Sequence, residues 1–318
     1  MEYRRLGESG LMVSALGLGT NTVGPDLDEA ATERVLGRFL DLGMNFVDTA
    51  NVYSRGTSES YLGAALVRMK RRHQALLATK CGVPMSDAPN DGGGSRQHVM
   101  ESVHASLRRL QTDHIDLLQM HRYDPETPID ETLRALDDLV SQGKVRYIGC
   151  SNYAAWQLTD ALWTSRAAGL SRFVSIQSEY NLISRGIETE VAPVCQRFGV
   201  GLIPWAPLAA GFLTGKYKRD APRPADSRGG RRPYWFFDRW VTEDNYDRVE
   251  RLQQFAEERG HTLPELAITW LLHRPAVSVV IVGASRAEQV EANARALEWK
   301  LTEDEVRLTT ETAGVSTS

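Results

Sequence analysis

The sequence has 318 residues, a formal net charge of −4, 42% hydrophobic residues and 25% charged residues. This composition is typical of a globular protein with a large core, and the slight acidity argues against a protein that mainly binds nucleic acid. No apolar run approaches the ~20 residues that cross a bilayer, and the first residues lack the apolar core of a signal peptide. Three cysteines without zinc-type spacing are too few for a disulfide framework, so we expect a reduced, cytoplasmic protein without a membrane partner.

Short apolar runs alternate with amphipathic stretches along the chain. The first two runs, 3–6 and 11–13, flank a Glu-Ser-Gly segment and predict a β-hairpin. Further runs predict strands at 15–18, 46–48, 76–79, 115–120, 147–150, 175–177, 201–205 and 279–282. Helical periodicity predicts helices between them, for example at 29–42, 96–110, 129–142 and 288–297.

The spacing of these strands predicts a (β/α)8 TIM barrel. From the first of these strands to the seventh, strand starts are roughly 26–40 residues apart, which is the length that one strand–helix unit needs. Eight such units close into a barrel of ~250 residues. The extra length falls after the seventh strand, where 219–240 is rich in Pro, Arg, Gly and aromatic residues and predicts a long inserted loop. We expect a single domain over 1–318, with the hairpin closing the bottom of the barrel. A doubly wound open sheet is the alternative, weakened because 17–19 (GLG) lacks the third glycine of a Gly-x-Gly-x-x-Gly turn.

Polar residues follow three neighbouring predicted strands at the end where such barrels carry their catalytic groups. Asp48 ends the second strand and Tyr53 comes soon after it, Lys80 follows the third strand, and His121 follows the fourth. A tyrosine holds its proton at neutral pH because its pKa is about 10, and a neighbouring ammonium lowers that pKa. Lys80, oriented by Asp48, can therefore make Tyr53 a general acid while His121 binds a substrate oxygen.

This set of residues predicts proton donation to the oxyanion that forms when a nucleophile adds to a carbonyl group. No side chain at these strand ends is an obvious nucleophile, which favours hydride from a cofactor. Each residue alone has a plainer interpretation, with Asp48 and Lys80 as a structural ion pair, Tyr53 as a packing residue and His121 as a rim histidine. Their occurrence together at the same strand ends favours the catalytic interpretation.

Several segments resemble signatures of the aldo-keto reductases. The longest are 43–53 (GMNFVDTANVY), 56–63 (GTSESYLG) and 143–152 (GKVRYIGCSN). Two others, 205–209 (WAPLA) and 211–216 (GFLTGK), resemble the bacterial reductases related to potassium-channel β subunits.

The resemblance extends from Leu6 to Glu305 and implies a (β/α)8 barrel with NADPH or NADP+ as its cofactor. It implies the reduction of an aldehyde or ketone, with Tyr53 as the acid. The catalytic tetrad that it implies is Asp48, Tyr53, Lys80 and His121.

The resemblance also implies cofactor contacts residue by residue. Ser151, Asn152 and Gln177 match the residues that bind the nicotinamide carboxamide, and Trp205 matches the aromatic residue that stacks on the nicotinamide ring. At the second strand, Asp48 is included among the cofactor contacts. The other implied contacts before the eighth strand are Gly19, Thr20, Asn21, Ala206, Pro207, Leu208, Ala209, Gly211, Lys216 and Arg228.

The segment after the eighth strand carries the implied preference for NADPH. Gly283 leads into a helix whose N-terminal amides can hold a phosphate. Ser285 and Arg286 are the candidates for the 2′-phosphate, since arginine binds phosphate bidentately. Gln289 and Asn293 lie one turn apart on that helix and match adenine and ribose contacts.

Two positions depart from the family's pattern. Asn21 stands where several relatives carry tryptophan, which makes one wall of the substrate pocket smaller and more polar. Ala292 stands where relatives usually carry glutamate, which removes one adenosine contact and weakens the expected preference for NADPH.

Other residue groups allow other functions. His114 and Asp116 have a metal-like His-x-Asp spacing, but they lie at the start of the fourth strand, where we favour a stabilising role. Cys81 and Cys150 lie next to active-site positions and are expected to be buried packing residues. A regulatory NADPH-binding subunit resembling channel β subunits is the alternative to an enzyme.

The inserted loop 219–240 interleaves arginines with aromatic residues, a pattern also found in nucleic-acid binders. Its aspartates dilute the positive charge, so we expect no nucleic-acid partner. We predict a lid that orders over cofactor and substrate, with a static surface loop or a subunit contact as the alternative. The sequence leaves open which small carbonyl compound is the substrate and whether the protein forms a homo-oligomer.

Overall fold

The computed structural model describes residues 1–225, 227–231 and 237–314, apart from the side chain of Arg231. The chain begins with the predicted hairpin, in which β1 (Tyr3–Arg5) pairs antiparallel with β2 (Met12–Ser14). The connecting turn crosses the bottom of a larger sheet.

Within the described residues, eight parallel strands form that larger sheet, and strands that follow one another in sequence are neighbours. They are β3 (Leu16–Gly19), β4 (Phe46–Asp48), β5 (Leu76–Cys81), β6 (Ile115–Met120), β7 (Val145–Ser151), β8 (Phe173–Glu179), β9 (Gly201–Trp205) and β10 (Val280–Gly283). The last strand pairs with β3, and Leu202 at β9 exchanges hydrogen bonds of 2.8 and 2.9 Å with Ala276 and Ser278 just before β10. The sheet thereby closes on itself, and the predicted (β/α)8 barrel is confirmed.

Helices surround the barrel, close to their predicted positions. Those that follow β3 to β8 in turn are α1 (Glu29–Asp41), α2 (Thr57–Met69), α3 (Arg96–Leu110), α4 (Ile129–Ser141), α5 (Ala155–Ala168) and α6 (Val191–Phe198). Those later in the chain are α7 (Arg228–Arg231), α8 (Glu243–Glu257), α9 (Leu263–Leu272), α10 (Ala287–Ala294) and α11 (Glu303–Thr312). Of the described helices, none has the length and apolar character that a membrane span requires.

The hairpin closes the amino-terminal end of the barrel, as predicted. Leu6 and Val13 are fully buried in a core cluster with inward-facing residues of the strands and their flanks. These inward-facing residues are Phe46, Ala78, Leu117, Ile203, Val279 and Ile281. Gly7, with a φ of 57°, lies so close to the strands that an added Cβ would be 2.5 Å from Gly199 O. Because this end is filled, a ligand reaches the barrel from the carboxyl ends of the strands.

The long connection between β9 and β10 has the predicted length and contains several helical segments. It begins with a 3-10 segment at Ala209–Thr214, passes through α7 and continues through α8 before reaching α9. Arg219 pairs with Glu243 at 2.6 Å, so the start of α8 is tied to the predicted loop. The aromatic residues of the predicted lid at 234–236 lie outside the described residues, and the lid stays a prediction.

Candidate active site

The structure brings the four predicted catalytic side chains together at the open end of the barrel. Asp48 ends β4, Lys80 lies at the end of β5, and His121 directly follows β6. Tyr53 begins a 3-10 turn in the loop after β4. The three strands pair in parallel, which sets their carboxyl ends at one edge.

Lys80 is the centre of a short chain of hydrogen bonds. Its Nζ donates to Asp48 Oδ2 at 2.7 Å, to Thr49 O at 2.9 Å and to Tyr53 Oη at 3.4 Å, and its side chain is fully buried. Burial disfavours the ammonium, but the interactions with Asp48 and Tyr53 outweigh burial and raise the pKa of Lys80 above its ordinary value of 10.5. Lys80 therefore keeps its positive charge beside the Tyr53 hydroxyl at neutral pH.

His121 completes this group as a neutral side chain. Its ring meets the Tyr53 ring edge to face, with centroids 6.0 Å apart. Burial lowers the pKa of His121 to about 3, and repulsion from Lys80 and Arg122 adds to this effect. Its Nδ1 is buried and has no hydrogen-bond partner within the described part of the chain. A neutral imidazole has one N–H, which can donate to a substrate oxygen.

Acidification is expected to destabilise the fold through His121. In the unfolded chain the His121 imidazole takes up a proton near its ordinary pKa of 6.5, whereas in the folded chain its pKa is about 3. Between these values the unfolded state carries the extra proton, so this residue lowers the free energy of unfolding by about 1.4 kcal/mol for each unit that the pH falls. Urea unfolding between neutral pH and about pH 4 measures this slope. The slope should be shallower in His121→Asn, and equal slopes in both proteins would contradict the prediction.

Asp48 is held from its other side by two buried amides. Gln177 Nε2 donates to Asp48 Oδ1 at 2.8 Å, and Gln119 Nε2 donates to the same oxygen at 3.2 Å. Gln177 Nε2 also lies 3.3 Å from Gln119 Oε1, so the amides support each other. These bonds leave Asp48 Oδ2 directed at Lys80. From the sequence, Gln177 is predicted only as a cofactor contact, and the role of Gln119 at Asp48 is not predicted.

Gln119 does have a signal in the sequence. It lies two positions before His121, and side chains alternate along a strand, so both face the barrel interior. It is the register partner of Lys80 and of Gly149. An added Cβ at Gly149 would be 2.5 Å from Ser175 Oγ, so glycine there keeps this layer of the barrel open. A polar residue near the carboxyl end of a buried strand, two positions before His121, identifies such a position.

Replacing Gln119 by leucine is expected to reduce turnover of a carbonyl substrate about tenfold. The change removes one donor to a buried carboxylate, and hydrogen bonds to charged groups contribute about 1.5–3 kcal/mol. KM should change little, because Gln119 lies behind Asp48. Steady-state kinetics measures both constants, with Gln97→Leu on the exposed side of α3 as the matched control. An unchanged kcat would mean that Gln177 alone orients Asp48.

The predicted nicotinamide contacts surround the same opening, and Asn152 also makes hydrogen bonds within the protein. With a φ of 57°, Asn152 donates from Nδ2 to His121 O at 3.2 Å and to Ser151 Oγ at 2.9 Å. Its Oδ1 accepts a hydrogen bond from Trp205 Nε1 at 2.9 Å. Asn152 thus fixes the Trp205 indole and the backbone of His121. The Ser151 hydroxyl and Gln177 Oε1 keep the hydrogen-bonding capacity that a carboxamide needs.

The turn after β9, which contains the predicted cofactor contacts between Ala206 and Gly211, has a strained backbone. Ala206 and Ala209 have φ values of 51° and 46°, and strain of this kind is concentrated at ligand sites. The buried Asn181 side chain donates to Ala206 O at 3.0 Å and holds the turn. An added Cβ at Gly211 would lie 3.4 Å from Lys216 Nζ, so a cation lies beside the turn. A rigid turn with an adjacent ammonium fits a pyrophosphate.

At the start of α10, Ser285 donates two hydrogen bonds to one side-chain oxygen of the same helix. Ser285 donates from its backbone N at 2.7 Å and from its Oγ at 3.0 Å to Gln289 Oε1. Arg286 is the N-cap residue of α10 and is exposed, with no ion pair among the described residues. Asn293 lies one turn after Gln289 on the same helix. A phosphate oxygen at the position of Gln289 Oε1 would receive both donors, so this segment fits the predicted 2′-phosphate site.

The ends of β3 and β10 meet across the same rim. Gly19 and Gly283 are register partners. Arg228 Nη2 donates to Asn21 Oδ1 at 3.4 Å, and an added Cβ at Gly283 would lie 3.8 Å from the same guanidinium. The Thr20 hydroxyl donates to Asp48 O at 2.8 Å, so its side chain supports the end of β4. Arg228 thus spans the rim between these strands.

Two further groups of residues have surroundings that fit the plainer roles favoured by the sequence. At the amino-terminal end of the barrel, Asp116 Oδ2 accepts from Arg72 at 2.9 Å, and His114 lies 3.6 Å from the other carboxylate oxygen. The described residues contain no group of three metal-ligating side chains. Cys81 and Cys150 are buried, and burial raises the pKa of Cys81 to about 12 and the pKa of Cys150 well above its ordinary value, which disfavours the reactive thiolate.

Comparison with known proteins agrees with this architecture. The model of the aldo/keto reductase family matches residues 15–313. The chain is 40% and 38% identical to proteins named probable voltage-gated potassium channel subunit beta from Arabidopsis thaliana and Oryza sativa subsp. japonica, covering 94% of this chain and 92% of each relative. It is 37% identical to the uncharacterized oxidoreductase YrpG of Bacillus subtilis, covering 97% of this chain and 94% of that protein. The chain therefore belongs to the aldo/keto reductase family, as its sequence motifs imply.

Proposed function

We propose that this protein reduces an aldehyde or ketone to an alcohol with NADPH, and that Tyr53 is the general acid. The observation that carries the proposal is the contact between the Lys80 ammonium and the Tyr53 hydroxyl at 3.4 Å, because Lys80 is fully buried and fixed by Asp48. A proton donor backed by a buried cation serves a carbonyl oxygen that gains negative charge. Membership of the family supports the broader function, that of an oxidoreductase.

The residues at the opening then have separate tasks. NADPH, when bound, supplies the hydride. His121 donates a hydrogen bond to the substrate oxygen and orients the carbonyl group. Tyr53 gives its proton to that oxygen, and Lys80 stabilises the phenolate that remains. Trp205, held by Asn152, offers a flat apolar face to the nicotinamide ring.

Support for NADPH comes from the donors and cations at the predicted contact points. Ser285 directs two donors at one acceptor oxygen, which is the arrangement that a phosphate oxygen requires. Lys216 and Arg228 add positive charge at the turn after β9 and at the rim between β3 and β10. Arg286 is exposed next to Ser285 and can bind a phosphate through two N–H groups.

Replacing Arg286 by alanine is expected to weaken NADPH binding about tenfold or more while NADH binding changes little. The reason is that a hydrogen bond to a charged group contributes about 1.5–3 kcal/mol and NADH lacks the 2′-phosphate. Fluorescence titration gives both dissociation constants. Arg295→Ala, at the other end of α10, is the matched control. Equal affinities of the wild-type protein for the two cofactors would contradict the proposed phosphate site.

The reaction itself is tested by a screen of NADPH oxidation with aldehydes, ketones and keto-sugars. We expect turnover with at least one of these classes of small carbonyl compound. Consumption of NADPH has to be matched by formation of the alcohol, which separates carbonyl reduction from oxidation of the cofactor by oxygen.

A regulatory subunit is the second candidate function. It is favoured by the names of two of the relatives, each a probable voltage-gated potassium channel subunit beta. A protein of this kind would bind NADPH but show little turnover, and Tyr53→Phe would leave its behaviour unchanged. Substantial turnover that depends on Tyr53 therefore favours the enzyme.

A further inference from the structure

Helix α5 presents two tryptophans to solvent. Trp156 is 62% exposed and Trp163 is 51% exposed, the highest values for large hydrophobic side chains in the described part of the chain. They are two helical turns apart, so they lie on the same face of α5. Exposed aromatic side chains that share one face are typical of a protein–protein interface.

Contacts at their edges hold both indoles in place. The ring centroid of Trp156 lies 5.6 Å from that of Tyr123, and the ring centroid of Trp163 lies 6.2 Å from that of Phe198. The guanidinium of Arg166 lies 5.3 Å from the Trp163 ring. Side chains that are already ordered lose little conformational entropy on binding, so these contacts lower the free-energy cost of forming an interface on this face.

Two opposite charges flank Trp163 on the same helix. Asp160 and Arg166 are both exposed, and neither makes an ion pair within the described residues. Asp160 precedes Trp163 by about 4.5 Å along the helix axis and Arg166 follows it by the same distance, since each residue rises 1.5 Å. The charge pattern is therefore antisymmetric about Trp163.

We propose that this face of α5 binds the same face of a second copy of the chain, with the two helices antiparallel about a twofold axis at Trp163. The axis sets Asp160 of each copy level with Arg166 of the other, which forms two equivalent ion pairs. A parallel arrangement would set like charges level with each other, and like charges at an interface are unfavourable. The exposed tryptophans and the charges thus fit the same partner, another copy of this chain.

The exposed area sets the expected strength of the dimer. The two tryptophans can contribute roughly 250 Å² for each copy, whereas a standard interface buries about 800 Å² of each partner. The neighbouring helices α4 and α6 have to supply the remainder. We therefore expect a dimer that dissociates in the micromolar range and is measured by sedimentation velocity over a dilution series.

Charge exchange tests the antiparallel arrangement directly. Asp160→Arg and Arg166→Asp should each weaken the dimer about tenfold or more, because each places like charges opposite one another. The double variant restores opposite charges and should dimerise like the wild type. An equimolar mixture of the two single variants should form heterodimers, since one chain then carries both positive charges and the other both negative charges. Trp163→Ala should weaken the dimer in every background.

Asp304→Arg on α11 is the control, because it makes the same change of charge at an exposed position of another helix. Circular dichroism of each variant confirms that the fold is retained. A wild-type protein that is monomeric throughout the series would overturn the proposal. A dimer that persists in the single variants would also overturn it. So would a failure to restore dimerisation both in the mixture of the two single variants and in the double variant.

Discussion

Replacing Tyr53 by phenylalanine is expected to lower the turnover of carbonyl reduction by about 10²–10⁴-fold, the usual contribution of a general acid. This corresponds to about 2.7–5.4 kcal/mol of activation free energy. The variant removes the hydroxyl that lies 3.4 Å from Lys80 Nζ and keeps the aromatic ring that meets His121. Proton donation is lost while the shape of the opening is retained, so the dissociation constant for NADPH should be unchanged.

The matched control is Tyr61→Phe, the same change on α2. Turnover is measured with the best substrate of the carbonyl screen, and cofactor affinity is measured by fluorescence titration. Near-wild-type turnover of Tyr53→Phe would remove Tyr53 from the mechanism. A large loss of NADPH affinity in the same variant would instead assign the hydroxyl to cofactor binding.

The barrel can be predicted from the sequence because its elements have strong local patterns. The predicted strand at 115–120 coincides with β6 (Ile115–Met120), whose residues are all buried. By contrast, the predicted strand at 76–79 stops before Lys80, whereas β5 continues to Cys81. β5 is longer than predicted because Lys80 and Cys81 pair with residues of β6. Such pairing depends on the neighbouring strand, so the local sequence of β5 does not predict it.

The candidate site could be predicted only in part. The strand ends identify Asp48 and Lys80, because the topology of a barrel sets all such ends on one rim. The hydrogen bond that the Gln119 side-chain amide donates to Asp48 joins residues that are far apart in the sequence, so no local pattern predicts this contact. For the same reason the sequence does not predict the hydrogen bonds between the Asn152 side-chain amide and the Trp205 indole and the backbone of His121.

Replacing Lys80 by methionine is expected to abolish most of the turnover and to destabilise the fold. Methionine has a similar length but no charge, so the Asp48 carboxylate would remain buried without its partner at 2.7 Å. Removing one partner of a buried ion pair typically costs about 3–5 kcal/mol. The variant also lacks the cation that stabilises the Tyr53 phenolate, which makes proton donation slower. Urea unfolding and steady-state kinetics measure the two effects.

The raised pKa of Lys80 sets the pH range in which this ion pair stabilises the fold. Its contribution is fully present below the ordinary lysine pKa of 10.5 and is lost only as the pH rises through the higher value in the folded protein. A variant with neither charge, Asp48→Asn with Lys80→Met, should therefore differ from the wild type in free energy of unfolding by a constant amount from about pH 6 to about pH 9. A difference that shrinks across this range would mean that Lys80 is already losing its proton there.

The double variant Asp48→Asn with Lys80→Met separates the structural effect from the chemical one. It leaves no uncompensated charge, and the asparagine oxygen can still accept the hydrogen bond from Gln177, so most of the lost stability should return. Turnover should stay as low as in Lys80→Met, because neither variant has a cation beside Tyr53. Recovered turnover in the double variant would mean that Lys80 serves only to neutralise Asp48. An unchanged rate and pH–rate profile in Lys80→Met alone, measured with a slow substrate, would exclude the charge of Lys80 from proton transfer.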